Sequence, residues 1–111
     1  MPDDFWGEPI YQYTDQDALK DGVLVDLSPL KVKFLGLPVN RMTGTVYADL
    51  KPQIEALSAS YEGNLNAALA AILRTKLRQA TMPQDIWHLP PGLWLLENEV
   101  GGFTVMYPSD Y

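Results

Sequence analysis

Four side chains have the types and placement that could support hydrolytic chemistry: Asp26, His88, Glu97 and Glu99. Asp26 interrupts the apolar run Val23-Leu24-Val25-Asp26-Leu27, so it needs a partner if it faces inward. Outward is its default; inward, bonded to a backbone group or to Arg41, is the alternative. His88 is the single histidine, which removes two-histidine metal motifs and makes any triad depend on it. It sits beside Trp87, close to Pro90-Pro91, and no spacing gives it a catalytic partner, so it reads as a structural or surface residue. Glu97 and Glu99 are two apart and can face one side of a strand. Such a pair does acid–base work only if burial or its partner raises one pKa. Beside Gly101-Gly102 they read as solvated. A small hydrolase-like enzyme using Asp26, His88 and Glu97/Glu99 is therefore the secondary reading.

Other chemistries are harder to reach. Gly101-Gly102 leads into a strand pattern and has no Lys-Ser/Thr after it, so it is no phosphate loop. There is no G-x-G-x-x-G and no G-x-S-x-G. There are no cysteines, which excludes disulfides and thiolate metal sites and suits a reducing cytoplasm. Asp15, Asp17 and Asp21 lack the central Gly and terminal Glu of a calcium loop. No catalytic, cofactor-binding or metal-ligating residue is assigned, and no cofactor is expected.

The elements that must position these residues start with 9–28. Ile10-Tyr11-Gln12-Tyr13 alternates as a half-buried strand. Thr14 caps a short helix, Asp17 approximates a capping box, and Asp15 and Asp17 meet the positive end of the helix dipole. Gly22 closes the helix at positive φ. Val23 to Leu27 follows as a strand, and Ser28-Pro29 reads as a second helix start. Leu30 to Leu35 is a short helix at most, ended by Gly36, and 37–40 is extended. Over 43–58 the apolar spacing is helical, with Pro52 inside it. The segment is read as a helix with a kink or break there; two helices, or a strand then a helix, are the alternatives. Asn64 caps the clearest helix, 65–80, with the stripe Leu65, Leu69, Ile72, Leu73 and Leu77. Strands follow at 86–89, 93–98 and 103–107, the last two as a hairpin. The pattern predicts an α+β fold: one domain over 1–111, with 1–8 a lead-in or tail against which Phe5 and Trp6 pack. Its sheet is mainly antiparallel and packs on one long helix and shorter ones.

The stretch Y-x-Y-T-x-x-x-A-x-x-D-G-V-L-V-D-L-S, carried by Tyr11, Tyr13, Thr14, Ala18, Asp21 to Asp26 and Ser28, resembles the opening of a family of small proteins of unknown function found in bacteria, plasmids and phages. Phe34-Leu35-Gly36, Pro38-Val39, Thr43 and Val46 are similar to that family's next segment, and the closing M-Y-P-S-D to its C-terminal hairpin. The resemblance brings no activity with it; it implies an association with mobile elements.

Net charge is −6 and unevenly spread. Residues 1–28 hold seven acids and one Lys, 29–78 three acids and seven bases, and 79–111 four acids and no base. Phosphate contacts need Lys or Arg, so direct nucleic-acid binding is disfavoured. The aromatic segments 1–13 and 87–111 contain no base to interleave with their rings. A protein partner with a basic surface fits better, met by Asp3, Asp4, Glu8, Asp15 and Asp17 as the exposed acids. In the competing reading, these acids pair internally with Lys31, Lys33, Arg74 or Arg78. No apolar run approaches the ~20 residues of a membrane span, and the acidic N-terminus is no signal peptide. The expected function is thus a non-enzymatic cytoplasmic binding or accessory protein. Its sharpest form is a phage- or plasmid-encoded inhibitor of a basic, nucleic-acid-handling host enzyme. A homodimer is compatible with this reading.

Overall fold

The structure, a computed structural model, describes residues 13–111. The expected lead-in at 1–8, the packing of Phe5 and Trp6, the start of the strand at 10–13, and Asp3, Asp4 and Glu8 lie outside the described residues.

Helix α1 (Asp15–Lys20) begins as its sequence dictates. The Thr14 hydroxyl accepts from Asp17 N–H at 3.1 Å, and the Asp17 carboxylate accepts from Thr14 N–H at 3.1 Å. This reciprocal box satisfies two otherwise free donors. Gly22 ends the helix at φ +78°. Strand β1 (Leu24–Asp26) leads to a 3-10 turn at Ser28–Leu30.

The expected short helix over 30–35 is not formed. After the 3-10 turn, β2 (Lys33–Phe34) and β3 (Leu37–Thr43) make a hairpin joined by Leu35 and Gly36 alone. Both joining residues have positive φ, +53° and +83°. That is the sign pattern of a primed two-residue turn, whose twist matches the flanking strands. Sequence reading missed it because the first position normally holds Asn, Asp or Gly and here holds Leu.

Helix α2 (Gly44–Ser58) runs as one helix through Pro52. Pro52 and Ala48 are both exposed, and Pro52 leaves the Ala48 carbonyl without its helical donor. The buried stripe Val46, Leu50, Ile54 lies on the other side. Helix α3 (Leu65–Arg78) has its start capped by the Asn64 side chain, which accepts from Ala67 N–H at 3.0 Å. Ala68, Leu69, Ile72, Leu73 and Leu77 are buried; Leu65, expected in the stripe, is exposed. Strands β4 (Trp87–Leu89), β5 (Leu93–Glu97) and β6 (Phe103–Met106) complete the sheet.

The fold is α+β, with strand order β1-β3-β6-β5-β4 and β2 beside β3. The sheet is mixed, because β3 and β6 run parallel while the other pairs are antiparallel. Helices α2 and α3, similar in length, cover one face. There Leu27, Val39, Met42, Ile54, Leu73, Leu95, Phe103 and Val105 form the core. Each fully buried aliphatic chain contributes roughly 1.5–3 kcal/mol relative to exposure. A bulge in β3 decides what reaches the opposite face. Val39 pairs with Phe103 and Arg41 with Thr104, so Asn40 is an extra residue. Strict alternation would set Arg41 beside Val39 in the core. The bulge turns Arg41 to the outer face and brings Met42 into the core instead.

Candidate functional site

Arg41 organises the outer face. Its side chain is 9% exposed and meets Asp15 through two parallel hydrogen bonds, Nε to Oδ1 and Nη2 to Oδ2, both 2.9 Å. Nη1 donates to Asp26 Oδ1 at 3.0 Å and to the Asn40 carbonyl at 2.8 Å. A planar guanidinium suits this fork, and the fork clamps α1 against β1 and β3. Hydrogen bonding to Asp15 holds the Arg41 pKa above its ordinary value, against the opposing effect of burial. Asp26 faces outward, half exposed, and still reaches Arg41. It also accepts from Ser28 N–H at 2.9 Å. Bonds from the Ser28 side chain and backbone hold its carboxyl below the ordinary range.

Two residues of the expected acidic surface therefore have structural work. The Asp15 side chain is only 10% exposed and neutralised by Arg41, because α1 lies directly over the bulge that presents the guanidinium. Asp17 caps its own helix. Internal pairing with Lys31, Lys33, Arg74 or Arg78 does not occur among the described acids either; Arg41 is the cation used.

Beside this clamp lies a cleft of about 440 Å³, bounded by α1, the start of β1 and the ends of β5 and β6. Four carboxylates line it, Asp15, Glu97, Glu99 and Asp110, and no Lys, Arg or His does. Glu97 and Glu99 are exposed and enter no ion pair among the described residues. Between them Asn98 holds the loop that follows β5. Asn98 Nδ2 donates to Asn40 Oδ1 at 2.9 Å and to Thr104 Oγ1 at 3.0 Å. Its Oδ1 accepts from Val100 and Gly102 N–H, both at 3.0 Å. An Asn before a Gly-Gly turn is a recognisable signal, since its side chain can take up loop N–H groups. Gly102 is required there: an added Cβ would lie 2.4 Å from the Pro38 carbonyl oxygen.

Asp110 closes the cleft at the start of α2. It accepts from the Thr43 and Thr45 hydroxyls, both at 2.7 Å, and from Tyr107 N–H at 3.0 Å. Burial pushes its pKa up, but the three hydrogen bonds outweigh it and hold the carboxyl low. Thr43 thus stands at the helix N-cap but sends its hydroxyl to Asp110, not to a helix N–H. Tyr107 Oη donates to Asp49, which ties the C-terminal segment to α2.

The groups of the hydrolase reading do not converge. Asp26 is on β1 and His88 on β4, at opposite ends of the strand order. Four inter-strand steps separate them, roughly 19 Å at ~4.8 Å each. Glu97 and Glu99 line a cleft that contains neither. His88 packs near Trp94, with ring centroids 6.2 Å apart. Among the described residues no three of His, Asp and Glu are grouped closely enough to hold a metal ion.

No family model, curated protein or solved structure matches this chain. No helix among the described residues is long and apolar enough to cross a membrane.

Proposed function

We propose that this protein is a non-enzymatic binding domain whose acidic cleft receives a basic side chain of a protein partner. One observation carries the reading: Glu97 and Glu99, on either side of Asn98, are among the residues that line a cleft whose lining holds no cation. Tyr13 and Met106 supply apolar walls for the stem of a Lys or Arg. Acids left uncompensated at the rim raise association rates for a basic surface. The finer reading, resting on the resemblance at 11–28, is an accessory protein of a phage or plasmid that inhibits a basic nucleic-acid-handling enzyme of the host cytoplasm. Capture from host lysate followed by mass spectrometry tests it. Wild type should retain a basic protein at low salt, and Glu97→Lys/Glu99→Lys should lose it. Equal capture by the folded double variant would remove the cleft from the proposal.

A further inference from the structure

A second surface carries the opposite charge. Between β2 and α3 lies a groove of about 320 Å³ lined by Lys33, Arg74 and Arg78 over Val32, Phe34, Leu35 and Leu77. No acid lines it, and none of the three cations enters an ion pair among the described residues. Arg74 and Arg78 are four apart on one helix, where like charges repel. Their position near the helix C-terminus offsets that only in part.

Leu35 is the decisive residue. It occupies the first position of the two-residue turn at φ +53°, where a γ-branched side chain is disfavoured. It is also 67% exposed, so burial does not compensate for the backbone cost. An apolar side chain held in a strained backbone at a cationic rim breaks two local preferences at one place, and such breaks mark contact sites.

We infer that this groove docks an acidic segment of a partner protein, one with Asp or Glu around a large apolar side chain. The carboxylates would meet Lys33, Arg74 and Arg78, and the apolar chain would lie against Leu35. Single-stranded nucleic acid fits less well. Its bases need a free aromatic face, whereas Phe34 is half-buried and stacked edge-on with Trp87 at 4.9 Å and Phe103 at 5.7 Å. This groove shares no lining residue with the acidic cleft, although Leu35 and Glu97 both line a third pocket between them, and it selects a segment of opposite charge.

The test is an array of nine-residue peptides with Asp or Glu around a central Leu, Ile, Phe or Trp. Matching arrays carry Asn and Gln in place of the acids, and a decathymidine oligonucleotide serves as the nucleic-acid probe. At low salt, acidic–apolar peptides should bind at least about tenfold tighter than their amide counterparts. Leu35→Asn should weaken that binding at least about tenfold while the melting temperature stays the same or rises, since Asn suits the turn better. Arg74→Gln/Arg78→Gln should weaken it similarly and reduce its salt dependence. Equal binding of acidic and amide peptides, or undiminished binding by Leu35→Asn, would overturn the inference. Tighter binding of decathymidine, lost in the Arg variant, would overturn it in favour of nucleic acid.

Discussion

Arg41 and Asp15 form a two-point ion pair, 26 residues apart in sequence, that joins the outer helix α1 to strand β3. Both side chains are about nine-tenths buried, so removing one leaves the other charged and poorly solvated. Asp15→Ala should cost about 3 kcal/mol, near the low end for buried pairs, because Asp26 and the Asn40 carbonyl still hold Nη1. Arg41→Lys should not restore the wild-type value, since an ammonium cannot make the fork. A double-mutant cycle on urea unfolding measures the pair; coupling under half a kcal/mol would mean the clamp contributes little.

Leu73 is fully buried at the centre of α3. Leu73→Ala should cost about 2–5 kcal/mol, the range for a leucine that leaves a cavity. Denaturant midpoints at unchanged slope check this, and a loss below about half a kcal/mol would contradict the packing described.

Two glycines separate backbone strain from crowding. Gly22 has φ +78° and nothing within 4 Å of a built Cβ, so Gly22→Ala should cost on the order of 1 kcal/mol from φ alone. Gly44 has no such φ, but its added Cβ would meet the Gly22 carbonyl oxygen at 2.4 Å. Gly44→Ala should therefore destabilise more than Gly22→Ala. The reverse order in thermal unfolding would contradict the close approach of α1's end to α2's start.

How much of this was legible in the sequence follows from how local each feature is. The capping box of α1, the Gly22 stop, the Asn64 cap and the hairpin over 93–106 rest on near neighbours, and the sequence alone predicts all of them. Leu35-Gly36 reads as a helix end in the sequence because its turn lacks the usual Asn. The parallel pairing of Val39 with Phe103 joins residues more than sixty positions apart and has no local signature. The bulge at Asn40 inverts the alternation of β3, so the partner of Arg41 could be guessed as Asp26 but not as Asp15. Of the site, Glu97 and Glu99 stand out in the sequence as a pair able to share one side of a strand, but β5 ends at Glu97 and Glu99 lies in the turn that follows. Asn98, which holds the loop between β5 and β6, and Asp110, which meets Thr43, depend on contacts across the sheet.

Acid should weaken the fold through Asp26 and Asp110. Both carboxyls are held low in the folded state, so it binds fewer protons than the unfolded chain. Their contribution is complete above the unfolded value of about 3.9 and is lost as pH falls through the lower folded values. Melting temperature should drop below about pH 4, and Asp110→Asn should make that drop shallower. An identical acid limb in wild type and variant would show that the Thr43–Thr45–Tyr107 bonds do not favour the charged carboxylate.

The acidic cleft is tested by a backbone-amide NMR titration with an arginine-rich peptide at low and at physiological salt. The predicted result is shifts concentrated at Tyr13 to Leu24, Glu97 to Glu99 and Thr104 to Asp110. They should weaken with salt as exposed charges are screened over about 8–10 Å, and vanish in a folded Glu97→Lys/Glu99→Lys variant. Shifts of the same size and location in that variant, or shifts spread evenly over the acidic surface, would contradict a defined cleft.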